Sequence, residues 1–266
     1  MASATDTSLP ALTVDALSVR FGGLLAIDQM TFEVREGEVL SLIGPNGAGK
    51  TTAFNAITGY LRPTSGRVVY RDTVLDGLTP NRIAELGVVR TFQKTSVFAA
   101  ETVLDNILIG LHLRSRQRAW EIILGLGRVR REERELVDQA WDVLRFIGLE
   151  ARAGELGGAL PYGEQRLLEV AVALAAKPRL LLLDEPVSGM NPSETADFME
   201  SLGRIRERGI TVLLVEHDMK MVMGVSDRVV VLNQGSIIAD GPPAEVRRDA
   251  DVIRAYLGER YADAQG

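Results

Sequence analysis

The stretch GPNGAGKT at residues 44–51 decides the fold class of this chain. It satisfies every fixed position of the pattern G-x-x-x-x-G-K-S/T, between the apolar run VLSLIG at 39–44 and a helical pattern at 50–59. Glycines let backbone N–H groups approach phosphate oxygens, which a helix N-terminus also attracts. Lys50 would reach the β- and γ-phosphates of a nucleoside triphosphate, and the Thr51 hydroxyl would coordinate Mg²⁺. The stretch therefore predicts a phosphate-binding loop between a strand and a helix.

A second stretch, LLLLDEP at residues 180–186, supplies the acidic groups that such a loop requires. Consecutive leucines predict a strand that is buried on both faces, and ligands bind at the carboxyl ends of such strands. Asp184 would hold Mg²⁺ through a water molecule, and Glu185 would polarise the attacking water as a general base. An apolar run that ends in a solvated acidic turn is common, so this stretch alone leaves both interpretations open. Beside the phosphate-binding loop, it predicts a nucleoside triphosphatase.

The order of the predicted elements indicates the fold class. Strand-like runs occur on both sides of a helical segment at 101–148, in which Gly148 is placed as the C-terminal cap. This alternation predicts a parallel α/β core that carries a helical insert, and a short helix at 252–258 closes the chain. The predicted strands occupy residues 12–19, 30–34, 39–44, 87–92, 179–184, 209–216 and 227–233.

Composition excludes several classes of protein. The 266 residues include 30 Lys and Arg, 36 Asp and Glu, two His and no Cys, with a net charge of −6. The lack of cysteine excludes disulfides and thiolate metal sites, and His112 and His217 are too few for a histidine metal cage. The negative charge argues against a dedicated nucleic-acid binder. Since no signal-peptide pattern or membrane-spanning run is seen, we expect a soluble protein that another subunit would have to hold at any membrane.

From about residue 12 to residue 258 the chain resembles the ATP-binding subunits of ABC transporters. The segment LPYGEQR at 160–166 stands where that family has its LSGGQ signature. The segment RTFQ places Gln93 as the Q-loop glutamine, and VEHD places His217 as the switch histidine. The segment SGMN at 188–191 occupies the position of the D-loop. Because the order and spacing of these motifs agree, the resemblance is more specific than any one of them.

The resemblance implies roles for individual residues. Those implied in catalysis are Lys50, Glu185 and His217. Those implied to contact ATP are Phe21, which would stack on adenine, and Gly44, Pro45, Asn46, Gly47, Ala48, Gly49, Lys50, Thr51, Thr52 and Gln93. Those implied to hold Mg²⁺ are Thr51, Gln93 and Asp184. The signature, implied to contact the ATP of an opposite subunit, comprises Leu160, Pro161, Tyr162, Gly163 and Glu164, and the D-loop comprises Ser188, Gly189, Met190 and Asn191.

The resemblance also implies the architecture. It predicts an α/β protein with a P-loop NTPase core of the ABC type, an antiparallel β subdomain and an inserted α-helical subdomain. The whole chain would form a single ABC ATPase domain. Its implied parts are a nucleotide-binding core at 11–95 and 161–241, a helical subdomain at 96–160 and a C-terminal helical tail at 242–266.

Longer stretches are similar to the larger ATPase of bacterial high-affinity branched-chain amino acid importers. They include VEHDMKMVMGVSDRVVVLNQG at 215–235 and DVIRAYLGER at 251–260. This similarity implies ATP and Mg²⁺ as ligands and a peripheral position on the cytoplasmic face of the inner membrane. The implied partners are two multi-span permease subunits, a second, different ABC ATPase and, indirectly, a periplasmic substrate-binding protein, with no nucleic acid.

Three alternative functions stay open. The chain could serve a related importer for urea, amides or other amino acids. It could be a soluble ABC ATPase acting on ribosomes or DNA, which the net charge disfavours. It could also be a regulatory subunit that binds ATP without hydrolysis, which the presence of Glu185 disfavours. The seven arginines between 114 and 134 are interpreted as a solvated helical surface, with contact to lipid or a partner as the alternative.

The signature departs from the family pattern at two positions. The family sandwiches ATP between two chains that face head to tail, so this signature would serve the nucleotide of the opposite chain. Pro161 stands in the place of a serine and has no hydroxyl, Tyr162 replaces a glycine, and Gly163 still offers an N–H. One or two hydrogen bonds to the opposite γ-phosphate would then be missing. The hypothesis is an asymmetric heterodimer in which this chain's own site hydrolyses ATP faster.

Overall fold

The computed structural model of the protein describes residues 10–91, 97–112 and 127–263. The strands of these residues form one sheet of six strands and one sheet of four. Every predicted strand overlaps an observed one, whereas β4, β5 and β10 are not predicted by the sequence pattern. The strands are β1 (Pro10–Phe21), β2 (Leu24–Arg35), β3 (Val39–Ile43), β4 (Ser65–Tyr70), β5 (Thr73–Val74), β6 (Val88–Arg90), β7 (Leu180–Asp184), β8 (Thr211–Val215), β9 (Arg228–Asn233) and β10 (Ser236–Gly241).

The larger sheet has the strand order β10-β9-β3-β8-β7-β6. Its strands from β9 to β6 are parallel, and β10 adds an antiparallel edge. In β7, Leu180 and Leu182 pack into the core on one face of the sheet, and Leu181 and Leu183 pack into the core on the other face. Because both faces are covered, an apolar side chain is favoured at each of these four positions, and the only polar residue of the strand, Asp184, stands at its carboxyl end. The predicted parallel α/β core is confirmed.

The smaller sheet is antiparallel, with the order β2-β1-β4-β5. Burial alternates along β2, where Met30, Phe32 and Val34 are buried and the residues between them are exposed. These side chains share a core with Leu42 of β3 and Phe54. The antiparallel β subdomain that the resemblance implies is therefore present, and it packs on the strand that leads into the phosphate-binding loop.

Helices fill the connections between the strands. The helix predicted after the phosphate-binding loop begins at Lys50, and Gly59 follows its end with a φ of 75°. The helices of the described residues are α1 (Lys50–Ile57), α2 (Pro80–Glu85), α3 (Val103–His112), α4 (Gly127–Ile147), α5 (Tyr162–Ala175), α6 (Pro192–Glu207), α7 (Met219–Val225), α8 (Pro243–Val246) and α9 (Ala250–Asp263).

The helical insert packs on one face of the larger sheet. Val103 of α3, Leu144 of α4 and Leu168 of α5 belong to the same core as alternate residues of β7. The two helices α3 and α5 approach closely at Gly110, where a Cβ atom would lie 2.8 Å from the backbone oxygen of Val172. Gly148 adopts a φ of 85° and donates its N–H to the last turn of α4, as its predicted capping role requires.

The parallel arrangement positions the site. The carboxyl ends of β3, β7 and β8 meet at one edge of the sheet, so the residues that follow these strands gather there. Gln93 and part of the arginine-rich segment 114–134 lie outside the described residues, and the boundaries of the core, helical subdomain and tail stay predictions. Within the described part of the chain, no helix combines the length and apolar character that crossing a bilayer requires.

Candidate nucleotide-binding site

The phosphate-binding loop has a backbone that only glycine can adopt at two positions. Gly44 has a φ of 151°, and a Cβ atom there would lie 2.0 Å from the oxygen of Leu232. Gly49 has a φ of 106°, and its Cβ atom would lie 2.7 Å from the oxygen of Ala26. A side chain at either position would collide with backbone that cannot move aside. Strands β2 and β9 therefore hold the loop in shape from both sides.

The Lys50 side chain lies inside this loop and bonds to its backbone. It is largely buried, with 8% of its surface exposed. The Nζ atom donates hydrogen bonds to the oxygens of Gly44 at 2.6 Å and Pro45 at 2.9 Å. Helix α1 begins here without a side-chain cap and without an acidic residue in its first turn. The first N–H groups of the helix and the lysine charge thus form a positive end to which an anion can bind.

The other residues that are predicted to contact the nucleotide differ in their exposure to solvent. Thr51 is exposed at the start of α1, which leaves its hydroxyl accessible to a ligand. Phe21 ends β1 beside a tight turn and is 50% exposed, so it is not a core aromatic and its ring can stack on a ligand. The exposed residues of the loop tip are Asn46 and Gly47, the buried ones are Pro45 and Ala48, and Thr52 is half-buried.

Asp184 is a buried carboxylate with one bonded and one free oxygen. Its Oδ2 accepts a hydrogen bond at 2.6 Å from Nη2 of Arg90, and the side chains are 0% and 9% exposed. Its Oδ1 is buried and has no hydrogen-bond partner among the described residues. Arg90 also donates to Oδ1 of Asn55 in α1 at 2.7 Å and lies over the Phe54 ring. The arginine thus connects the acid to the helix that follows the phosphate loop.

Glu185 and His217 face each other across the ends of β7 and β8. Oε2 of Glu185 lies 3.9 Å from Nδ1 of His217, and both side chains are partly exposed. Glu185 has a φ of 47°, which is strained for a residue with a long side chain, and its N–H donates to Val215. Such strain persists where the surroundings fix the backbone.

Glu216 fixes the loop that carries the histidine. This carboxylate is fully buried and accepts N–H groups from Val187, His217 and Asp218 at 3.1, 2.9 and 3.3 Å. The two carboxylates within 4 Å of the His217 imidazole have different environments. Glu216 has its oxygens occupied by the backbone, whereas Glu185 is partly exposed and available to a water molecule.

The signature begins helix α5 and is tied to the D-loop. Pro161 precedes the helix, and Tyr162, the first helical residue, donates its hydroxyl proton to the oxygen of Ser188 at 2.8 Å. The N–H of Gly163 donates to Oε1 of Glu194 at 3.3 Å. The hydrogen bonds of the signature therefore lead to the segment after β7 and to α6.

Neighbouring side chains hold Tyr162 in position through contacts with its ring and its hydroxyl. The guanidinium of Arg166 lies 5.2 Å from the centre of the Tyr162 ring, and its Nε donates to the tyrosine hydroxyl at 3.1 Å. The same arginine pairs with Glu169 at 2.9 Å. Burial raises the pKa of Glu169, and the hydrogen bond and charge of Arg166 oppose that rise. The rest of the signature has local partners, because Leu160 accepts a hydrogen bond from Gln165 and Glu164 pairs with Arg152.

The D-loop ends in a helix cap. Gly189 has a φ of 83° and its missing Cβ leaves space for the Tyr162 ring, while Met190 packs against the core on the helical side. The side chain of Asn191 accepts N–H groups of Ser193 and Glu194, and the Glu194 side chain accepts the Asn191 N–H. This reciprocal arrangement is a capping box.

Sequence reasoning did not find three functional neighbours of these residues. Arg90, Glu194 and Glu216 matter because of the atoms they contact, and their sequence pattern is ordinary. The signal that was available is weak: an arginine follows the apolar pair Val88 and Val89 immediately before the segment that contains Gln93. Gln93 itself lies outside the described residues, so its predicted role stays a prediction.

Known proteins share both the sequence and this fold. The sequence profile of the ABC transporter family matches residues 27–188, and that of the branched-chain amino acid ATP-binding cassette transporters matches 236–262. The High-affinity branched-chain amino acid transport ATP-binding protein LivG of Salmonella typhimurium is 47% identical over 95% of this chain and 99% of its own. The BraF protein of Pseudomonas aeruginosa, which carries the same description, is 45% identical over 95% of this chain and 99% of its own.

Solved structures agree with these sequence comparisons. The ADP conformation of an ATP-binding cassette of an ABC transporter aligns with a TM-score of 0.84 and 31% identity, covering 94% of this chain and 100% of that one. A nucleotide-free ATP-binding cassette aligns with a TM-score of 0.82 and 30% identity, covering 93% and 99%. The chain therefore belongs to the ABC transporter family, as one of its ATP-binding cassettes.

Proposed function

We propose that this chain is the ATP-hydrolysing subunit of an importer for branched-chain amino acids, working at the cytoplasmic face of the inner membrane. The observation that carries this proposal is the identity of 47% along 95% of the chain with a branched-chain amino acid transport ATP-binding protein. The groups at the carboxyl edge of the larger sheet provide the chemistry that the proposal requires.

The first step is the capture of ATP. Lys50 and the uncapped start of α1 supply positive charge and N–H donors for the phosphates, and Phe21 offers an exposed ring for the adenine. The lysine donates hydrogen bonds to two loop carbonyls. It would exchange these for oxygens of the β- and γ-phosphates. Since the loop glycines are fixed by neighbouring strands, the cradle needs little rearrangement.

The residues present fit a magnesium ion bound with the nucleotide. Asp184 offers a buried oxygen without a hydrogen-bond partner among the described residues, and Thr51 offers an accessible hydroxyl. Oxygen ligands of this kind suit Mg²⁺. When bound, the ion would neutralise charge that develops on the β- and γ-phosphates. Arg90 contributes by holding the other oxygen of Asp184 in place.

The second step is hydrolysis. Glu185 would accept a proton from the water that attacks the γ-phosphorus, and the bond between that phosphorus and the oxygen bridging to the β-phosphate would break to leave ADP and phosphate. His217, 3.9 Å from this carboxylate, would orient the γ-phosphate and the water. The expected contribution of a general base is roughly 10²- to 10⁴-fold in rate.

The proposed partners are those that the resemblance to the family implies. ATP would lie between this chain and a second ABC ATPase in head-to-tail arrangement, with two membrane permease subunits and a periplasmic binding protein completing the importer. Closure around ATP would drive the permease to its alternate state, and loss of the γ-phosphate would release it. An importer for urea, amides or other amino acids is the alternative, because no residue of this chain would touch the transported molecule.

Transport into vesicles tests the proposal. The complete complex would be reconstituted with ATP at the face that carries this chain, and uptake of leucine, isoleucine and valine would be compared with uptake of urea and glutamine. We expect ATP-dependent uptake of the branched-chain amino acids, abolished by Lys50→Ala. Uptake of urea or glutamine in preference to leucine would assign the chain to the alternative importer, and ATP hydrolysis without any uptake would contradict a transport role.

A further inference from the structure

The carboxylate of Glu194 joins two segments that are proposed to face the nucleotide of a second subunit. Its Oε2 accepts the N–H of Asn191 at 2.9 Å, at the end of the D-loop. Its Oε1 accepts the N–H of Gly163 at 3.3 Å, within the signature. One acidic side chain therefore occupies a backbone donor at the start of α5 while it caps α6.

The contact at Gly163 is close and buried. A Cβ atom on this glycine would lie 2.8 Å from Cγ of Glu194, and the glycine itself is buried. Because the Gly163 N–H already donates to Glu194, another anion can accept this N–H only if the glutamate side chain moves aside. The hydrogen bond of Tyr162 to Ser188 forms a second tie between the same two segments.

The charge at this position matters for phosphate binding. Pro161 offers neither a hydroxyl nor an N–H, so Gly163 is the remaining donor of the signature proposed for the opposite γ-phosphate. A carboxylate that accepts this N–H competes with a phosphate oxygen for the same donor, and its negative charge repels the phosphate. At 3.3 Å the bond is longer than the roughly 2.7–2.9 Å typical of charge-assisted hydrogen bonds, so a better-placed phosphate can replace it.

We propose that Glu194 is a positioning residue for the ATP bound by the opposite subunit. It accepts the Gly163 N–H, and its charge raises the ATP concentration at which the opposite nucleotide engages the signature. This inference rests on the proposed function, in particular on head-to-tail pairing with a second ATPase. It gives α6 a role in setting when the two subunits close.

The variant Glu194→Gln separates this role from helix capping. Glutamine also completes a capping box, so the N–H of Asn191 keeps its acceptor while the negative charge is lost. The matched control is Glu200→Gln, which removes the same charge from the same helix at a side chain that is 75% exposed and 3.9 Å from Arg204. The melting temperature of the isolated chain should be nearly the same for both variants and the wild type.

The opposite site can be observed alone in the assembled complex. With Glu185→Gln in this chain, the remaining ATPase activity comes from the partner's nucleotide, which faces this signature. We expect Glu194→Gln to lower the ATP concentration for half-maximal activity by about three- to tenfold in this background, and Glu200→Gln to leave it unchanged. When the partner's catalytic glutamate is replaced instead, Glu194→Gln should have little effect.

A second measurement does not depend on hydrolysis. With both catalytic glutamates replaced, the ATP concentration needed to associate the two ATPases in analytical ultracentrifugation should fall by the same factor. Equal ATP requirements with and without Glu194→Gln, or the same shift with Glu200→Gln, would overturn the inference while leaving the proposed function intact. A wild-type complex that does not hydrolyse ATP would overturn the proposed function and the inference together.

Discussion

Arg90 and Asp184 form an ion pair in the interior of the protein, with 9% and 0% of the side chains exposed. Removal of one partner leaves a buried charge without compensation, which costs more than the pair itself contributes. We therefore expect Arg90→Met to lower the free energy of unfolding by about 3–5 kcal/mol. Urea denaturation of the isolated chain measures this change.

Two further variants show whether the unpaired charge is the cause. The double variant Arg90→Met with Asp184→Asn removes both charges and should recover a large part of the loss. Arg82→Met removes an exposed ion pair with Glu85, whose side chains are about 60% exposed, and should change stability by less than about 1 kcal/mol. If the double variant loses as much stability as Arg90→Met and Asp184→Asn together, the unpaired charge is not the cause of the loss.

Glu185 is the residue that we propose as the general base of ATP hydrolysis. We expect Glu185→Gln to leave ATP binding intact and to reduce hydrolysis by roughly 10²- to 10⁴-fold, because only the acceptor of the water's proton is lost. The variant should accumulate as an ATP-bound closed dimer when its partner ATPase is present. Nucleotide affinity and single-turnover hydrolysis measure the two effects, and near-normal turnover would remove Glu185 from the role of base.

Sequence motifs predict the residues proposed to act on ATP, and they do not predict the residues that hold those side chains in place. Lys50 and Asp184 are found from sequence because a local pattern surrounds each of them. Arg90 contacts a carboxylate 94 positions away, and Glu194 contacts an N–H 31 positions away. No local periodicity specifies such pairs, since they depend on which strands become neighbours in the sheet.

At the scale of elements, burial explains which strands the sequence predicts. The strands β3, β7 and β8 are buried along their whole length, so each is apolar at every position but one, the polar residues being Ser41, Asp184 and Thr211. By contrast, β5 is two exposed residues and β10 is half-buried at an edge, so neither has a distinct pattern. The pairing of β1 with β4 joins segments separated by more than forty residues and follows from tertiary contact.

Two helix glycines should respond in opposite directions to the same change. At Gly110 in α3 a Cβ atom would lie 2.8 Å from the backbone of α5, so Gly110→Ala should destabilise the protein by about 1–3 kcal/mol. At Gly203 in α6 nothing lies within 4 Å, so Gly203→Ala should stabilise it by about 0.5–1 kcal/mol. Thermal unfolding distinguishes the two. Unchanged or increased stability of Gly110→Ala would contradict the close helix contact, and a loss of stability for Gly203→Ala would contradict the open space at that position.

At the scale of the whole molecule, the two surfaces that we propose to contact ATP are unequal. The chain's own site has a complete set of groups in Lys50, Asp184, Glu185 and His217. The surface proposed for the opposite nucleotide has no hydroxyl at Pro161, and its remaining N–H, that of Gly163, donates to the carboxylate of Glu194. The hydroxyl and the freed N–H would each be worth about 1.5–3 kcal/mol to a bound phosphate. The difference favours an asymmetric pair of ATPases.

Steady-state ATPase activity of the whole complex tests this asymmetry. We expect Glu185→Gln to remove most of the activity and the equivalent change in the partner to remove less, because the partner's nucleotide meets the weaker surface. Restoring the hydroxyl with Pro161→Ser should raise the activity that remains in the Glu185→Gln complex, and serine is also a favourable residue at the start of α5. Equal losses from the two glutamate changes, or a fully active homodimer of this chain alone, would contradict the asymmetric arrangement.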